Sequence, residues 1–211
     1  MDQIDPERLQ DLALRSAVVQ RCRQAFLHDM RGGLQSISSA FELLNRAANA
    51  APFNQALAGK ASEFFRRAID SHERLLDASL EDICGGSPAP GTMQLESIAD
   101  LALRFLQNDA AARQVNLRAA AMEPVSVHGN AMNLRLLLLA LLTHAIDLAP
   151  AGSAIDLGVE RSPRAAVVVS APAWMAPGSA FEFICTVGRR WLSLDGGGLA
   201  HSGPGRVELH W

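Results

Sequence analysis

Apolar residues recur early in the chain at Val19, Cys22, Phe26, Met30, Gly33, Ile37, Phe41 and Leu44, spacings of three and four that form one stripe of a long helix. Asp5, Pro6 and Glu7 supply a start signal: a capping carboxylate, a proline in the first turn and an acid that the helix dipole favours. The pattern predicts one helix from there to about Ala48, far longer than an ordinary helix and so suited to a bundle. Asn45 to Phe53, with its alanines and Pro52, reads as a connection. A second helix is predicted over Asn54 to Ile83, with Leu57, Ala61, Phe65 (or Phe64), Ala68, His72, Leu75, Ser79 and Ile83 at helical spacing. A lone hairpin cannot bury its stripe, so dimerisation into a four-helix bundle is the expected completion.

The run Cys84-Gly85-Gly86-Ser87-Pro88-Ala89-Pro90-Gly91 has linker composition, and the pattern changes after it. Helices are predicted over Glu96–Arg113, Asn130–Leu148 and Ser179–Leu194, and short strands over Val115–Ala119 and Val125–Val127. Ala154–Val159 and Ala165–Ser170 read as one hairpin, Gly198–His201 and Arg206–His210 as another. The expected fold is α + α/β: a helical hairpin over residues 1–84, a linker over 85–93, and over 94–211 an α+β sandwich with helices on one face of a mostly antiparallel sheet.

Composition narrows the function classes. The 211 residues are 49% hydrophobic and 19% charged, with net charge -3, enough for a core and too apolar for disorder. Lys60 is the sole lysine and the arginines are dispersed, so no basic stripe suggests nucleic-acid binding. Cys22, Cys84 and Cys185 lack metal-ligand spacing and are odd in number, the usage of reduced thiols. The acidic start has no signal-peptide layout, and the apolar run Leu134–Leu142 is much shorter than the roughly 20 residues of a bilayer span. A cytoplasmic protein with no N-terminal sensor is expected.

His28 falls on the side of the first helix opposite Phe26 and Met30. Asp29 follows it, Arg31 is one turn on, and Arg21, Gln24, Gly32, Gln35, Ser38 and Glu42 share its outer face. The pair Gly32-Gly33 costs this helix up to about 2 kcal/mol relative to alanine, which calls for close helix contact at Gly33 or docking space at Gly32. His72-Glu73 is a second histidine–acid pair, but His72 lies on the apolar stripe and is read as packed. His128, His201 and His210 have no convergent partners in sequence and receive no role.

The stretch Phe26-Leu27-His28-Asp29-Met30-Arg31-Gly32-Gly33-Leu34, then Ser36-Ile37-Ser38-Ser39-Ala40-Phe41-Glu42, resembles the H-box of two-component sensor histidine kinases. The resemblance implies that His28 accepts a phosphoryl group, that Asp29 orients the ring or acts as base, and that Arg31 contacts the phosphoryl group. Gly32 replaces the threonine or asparagine that orients water in kinases with phosphatase activity, which implies little hydrolysis. Gly33 replaces a frequent proline.

Val127-His128-Gly129-Asn130, Leu134–Leu142, Ala145-Ile146 and Pro150-Ala151-Gly152 resemble the path of the histidine-kinase ATP-binding domain, the GHKL fold. The ligands of that family are missing. The two asparagine-type positions that hold Mg²⁺ and phosphates are Ala140 and His144, and neither suits Mg²⁺, which takes oxygen. Ser170-Ala171-Pro172-Ala173 stands where the adenine-binding aspartate would follow its strand, and Gly196-Gly197-Gly198 precedes a strand, not a helix, and is read as structural. A phosphoacceptor hairpin beside a degenerate ATPase-type domain is similar to the bacterial ChpT-type histidine phosphotransferases. That implies a homodimer without ATP or any other cofactor, passing phosphate between response-regulator receiver domains whose own Mg²⁺ serves the transfer. A non-catalytic adaptor that binds receivers or a kinase, and a divergent ATP-dependent kinase, are the alternatives.

Overall fold

The computed structural model describes residues 5–50, 52–77, 89–161, 163–171, 178–201 and 205–211, the side chains of 71–77 excepted. Elements follow in chain order: α1 (Pro6–Ala48), α2 (Gln55–Asp77), β1 (Gly91–Gln94), α3 (Leu95–Ala112), β2 (Asn116–Met122), β3 (Ser126–Gly129), α4 (Ala131–Leu148), β4 (Ala154–Glu160), β5 (Ala166–Ser170), α5 (Ser179–Leu194), β6 (Gly198–His201) and β7 (Arg206–His210). The chain forms two compact units, Arg21–Leu80 and Met1–Gln20 with Glu81–Trp211, so α1 contributes to both.

In the first unit α1 continues into α2. Asn54 shapes the turn: its N–H donates to the Ala47 carbonyl at 3.4 Å, and its Oδ1 caps α2 by accepting from the Leu57 N–H at 2.9 Å. Among the described residues, those buried here are small, Cys22, Ala40, Ala47, Ala61 and Ala68. Large side chains on a separate line of α1, beyond Phe26, Met30 and Ile37, stay open, with Leu27, Leu34 and Phe41 at 43%, 55% and 58% exposure. The expected stripe is therefore only half covered: Phe26, Met30, Ile37 and Leu44 are half-buried, and Val19 and Phe41 are exposed. The chain's own seam runs through its alanines instead. Residues 78–83 of the expected second helix, and the side chains of His72 and Glu73, lie outside what is described.

The second unit carries a five-stranded sheet in the order β2-β4-β5-β7-β6, with a separate ribbon of β1 and β3. Three pairings are antiparallel and β2–β4 is parallel, the register that a crossover through α4 allows. Leu117, Ile155, Leu157, Val159, Val167, Val169, Val207 and Leu209 alternate onto the buried face. The other face carries ion pairs around the buried Ala166 and Val168: Arg118 pairs with Asp156 through two hydrogen bonds of 2.8 and 3.0 Å, and Arg206 bridges Glu160 and Glu208. Gly91 to Met93, assigned above to the linker, form β1 and pair with β3 from Gly91 opposite Gly129 to Gln94 opposite Ser126. Cys84 to Pro88 lie outside the described residues.

By length and composition α4 would pass for a membrane span, but it is the domain's central helix, with Leu134 and Leu136–Leu142 buried. Asn130 caps it by accepting from the Asn133 N–H at 3.0 Å, and its own N–H donates to Asp195 at the end of α5 at 2.7 Å. Close approach of α5 to α4 requires Gly188, where a Cβ would stand 2.7 Å from Cδ1 of Leu137.

Candidate functional site

The middle of α1 presents a polar face built by helical spacing alone. At about 100° per residue, Arg21, Gln24, Arg31, Gly32, Gln35, Ser38 and Glu42 lie within about 80° of His28. Gln24, Arg31, Gly32, Gln35, Ser38 and Glu42 are exposed and Arg21 is half-buried. His28 projects furthest, with 81% of its side chain in solvent.

Asp29 does not share that face. It is one residue round the helix, on the line of the small seam residues, and only 16% of its side chain is exposed. Its Oδ1 lies 3.3 Å from Nδ1 of His28. With Asp29 accepting from Nδ1–H, the neutral ring carries its lone pair on Nε2, the nitrogen directed away from the carboxylate. In that tautomer the exposed ring has its outer nitrogen available to attack an electrophile. Gly32, one turn on, has open space where a Cβ would stand. Packing within this chain does not demand glycine there.

Ala140 in the second unit is buried, and His144 stacks on Phe181, ring centroids 5.9 Å apart and planes 21° from parallel. Phe181 also meets His201 at 5.9 Å. Burial lowers the pKa of His144 from its ordinary 6.5, against an opposing pull from Asp147. Where the resemblance would place Mg²⁺ and phosphate ligands there is a methyl group and a stacked ring, and these residues do not fit that group. Ala171 is buried, and its N–H donates to the Gly205 carbonyl at 2.7 Å. Gly196, at φ +75°, turns the chain from α5 into β6, consistent with a structural role for Gly196-Gly197-Gly198. Phe181 was not anticipated from sequence. Its one signal is an aromatic residue in the first turn of α5, where a phosphate-binding helix would have glycine.

No protein-family model matches the sequence, and no curated protein does. Among solved structures it is similar to a bacterial phosphotransferase at 14% identity and TM-score 0.49, over 99% of this chain and 97% of that one. It is similar to the cytoplasmic segment of histidine kinase QseC at 18% identity and TM-score 0.49, over 69% of this chain and 93% of that one. Acinetobacter baumannii histidine kinase AdeS follows at 13% identity and TM-score 0.47, over 87% and 97%. Likenesses of this size carry no chemistry, which has to be read from the residues.

Proposed function

We propose that this chain is a histidine phosphotransferase of a two-component phosphorelay, with His28 as the way-station between receiver domains. The observation that carries the reading is the pairing of an 81% exposed imidazole with a mostly covered carboxylate at its Nδ1. Nε2 attacks the phosphorus of an aspartyl phosphate, the P–O bond to the receiver's carboxylate breaks, and a phosphoramidate forms at Nε2. Asp29 balances the positive charge that develops on the ring. The second transfer reverses these steps toward another receiver. Such transfer depends on positioning and charge stabilisation more than on protein covalent chemistry. Arg31 supplies positive charge one turn from the phosphoryl group, and Arg21, Gln24, Gly32, Gln35, Ser38 and Glu42 form the face on which the receiver docks.

No nucleotide takes part in this reading, because Ala140 and the stacked His144 offer Mg²⁺ no oxygen. The chain works as a homodimer: Leu27, Leu34 and Phe41, seven residues apart, leave an apolar line on α1 that a second copy covers in a four-helix bundle. The test is transfer from a panel of phosphorylated receivers to the wild-type chain and to His28→Ala. Transfer that survives in His28→Ala overturns the assignment, and receiver binding without any transfer makes the chain an adaptor.

A further inference from the structure

Two arginines reach in opposite directions between the N-terminal turns of α1 and the C-terminal domain. Arg190, on α5, donates through Nη2 to the Glu7 carbonyl at 2.9 Å and to the Asp11 carboxylate, and through Nη1 to Gln10 Oε1 at 3.4 Å. The Glu7 carboxylate stands 3.7 Å from Nη1. Arg15, on α1, reaches back: it donates to Oδ1 of Asn133 in the first turn of α4, and its guanidinium lies 4.7 Å from the centre of the Trp191 ring. Glu7 and Asp11 are one turn apart on α1, so they meet one guanidinium together.

The apolar part of this contact is small. Between Pro6 and Gln20 only Leu14 and Val18 are buried, while Leu9 and Leu12 remain 49% and 55% exposed. A docking held mainly by hydrogen-bonded charges is specific in register, and salt weakens it first at Glu7, 70% exposed, and less at the Arg190–Asp11 pair, 21% and 32% exposed.

We propose that the segment Glu7–Val18 is a releasable clamp. It pins the C-terminal domain to the start of α1 through the reciprocal arginines Arg190 and Arg15, and its release frees the domain while leaving the domain folded. The clamp stands whether or not His28 carries phosphate. Acidic residues in the first turns of α1, with Arg15 on the same helix and Arg190 on a distant one, thus form a conformational device rather than scattered surface charge.

The test is hydrogen–deuterium exchange of the full chain at low and high salt, for wild type, Arg190→Ala, Asp11→Arg, and Asp11→Arg with Arg190→Asp. In wild type at low salt the amides of residues 7–18 exchange slowly. Arg190→Ala, Asp11→Arg or high salt raises their exchange about tenfold or more with α4 and β4–β7 unchanged, and the reversed pair restores protection. Exchange in residues 7–18 that is the same in all four proteins overturns the clamp. So does a loss of protection spread over α4 and the sheet, which makes the arginines part of the fold, or failure of the reversed pair to restore protection.

Discussion

Nδ1 of His28 stands 3.3 Å from Oδ1 of Asp29, yet 81% of the histidine side chain is in solvent and only 16% of the aspartate's. One residue of helix rotation separates an outward imidazole from a sheltered carboxylate. Asp29→Asn keeps the shape and an acceptor oxygen but removes the charge that, in the proposed transfer, balances the phosphorylated ring. Phosphotransfer from a phosphorylated receiver is expected to slow by about 10²-fold, with circular dichroism unchanged. An unaltered rate in stopped quench-flow assays would remove Asp29 from the mechanism.

Gly32 weakens α1 without relieving any contact, because a Cβ there meets open space. Gly32→Ala is expected to stabilise the chain by up to about 1 kcal/mol in urea denaturation. If receivers dock against this turn, the same variant transfers phosphate more slowly. A gain in stability with full transfer rate would leave the glycine without a docking role.

The stacked His144 makes stability depend on pH. Burial lowers its pKa in the folded chain below the ordinary 6.5, so the unfolded chain binds its proton more readily. Stability is therefore complete above about pH 6.5 and declines as pH falls through the window between the unfolded and folded pKa values. His144→Gln should flatten that part of the pH profile of thermal melting. An identical slope in the variant would place the pH dependence elsewhere.

Cys22 and Cys185 are both buried, and burial pushes the Cys185 thiol up to about 11, against the pull of Arg189. The thiolate is the reactive form, so neither residue should be alkylated by iodoacetamide at neutral pH in the folded chain, and both should react in urea. Rapid native labelling at Cys185, read by mass spectrometry, would contradict its burial in α5.

Much of this architecture is written in local pattern. Asn130 before an apolar run defines α4, Pro6 after Asp5 opens α1, and α5, β6 and β7 begin and end where periodicity and glycine turns put them. Of the small ribbon, β3 was expected as a short strand, but β1 was missed because it has four residues, starts at a glycine and buries only Met93, too short for alternation to show. The parallel β2–β4 pairing is a tertiary outcome that no strand announces. Helical spacing likewise shows that Leu14 and Val18 share a face, but not what covers them, so the reciprocal arginines Arg15 and Arg190 were invisible. At His28 the reverse holds: on a helix, spacing alone decides which side chains face out, and its exposure follows from its distance to Phe26 and Met30.

The most direct measurement is nuclear magnetic resonance, phosphorus-31 with nitrogen-15 labelling of histidine, on the chain after incubation with a phosphorylated receiver at neutral to alkaline pH. A single phosphoramidate on Nε2 of His28 is expected, absent from His28→Ala and not formed by ATP and Mg²⁺ alone. A phosphoryl group on another residue, or direct labelling by ATP without a receiver, would contradict it.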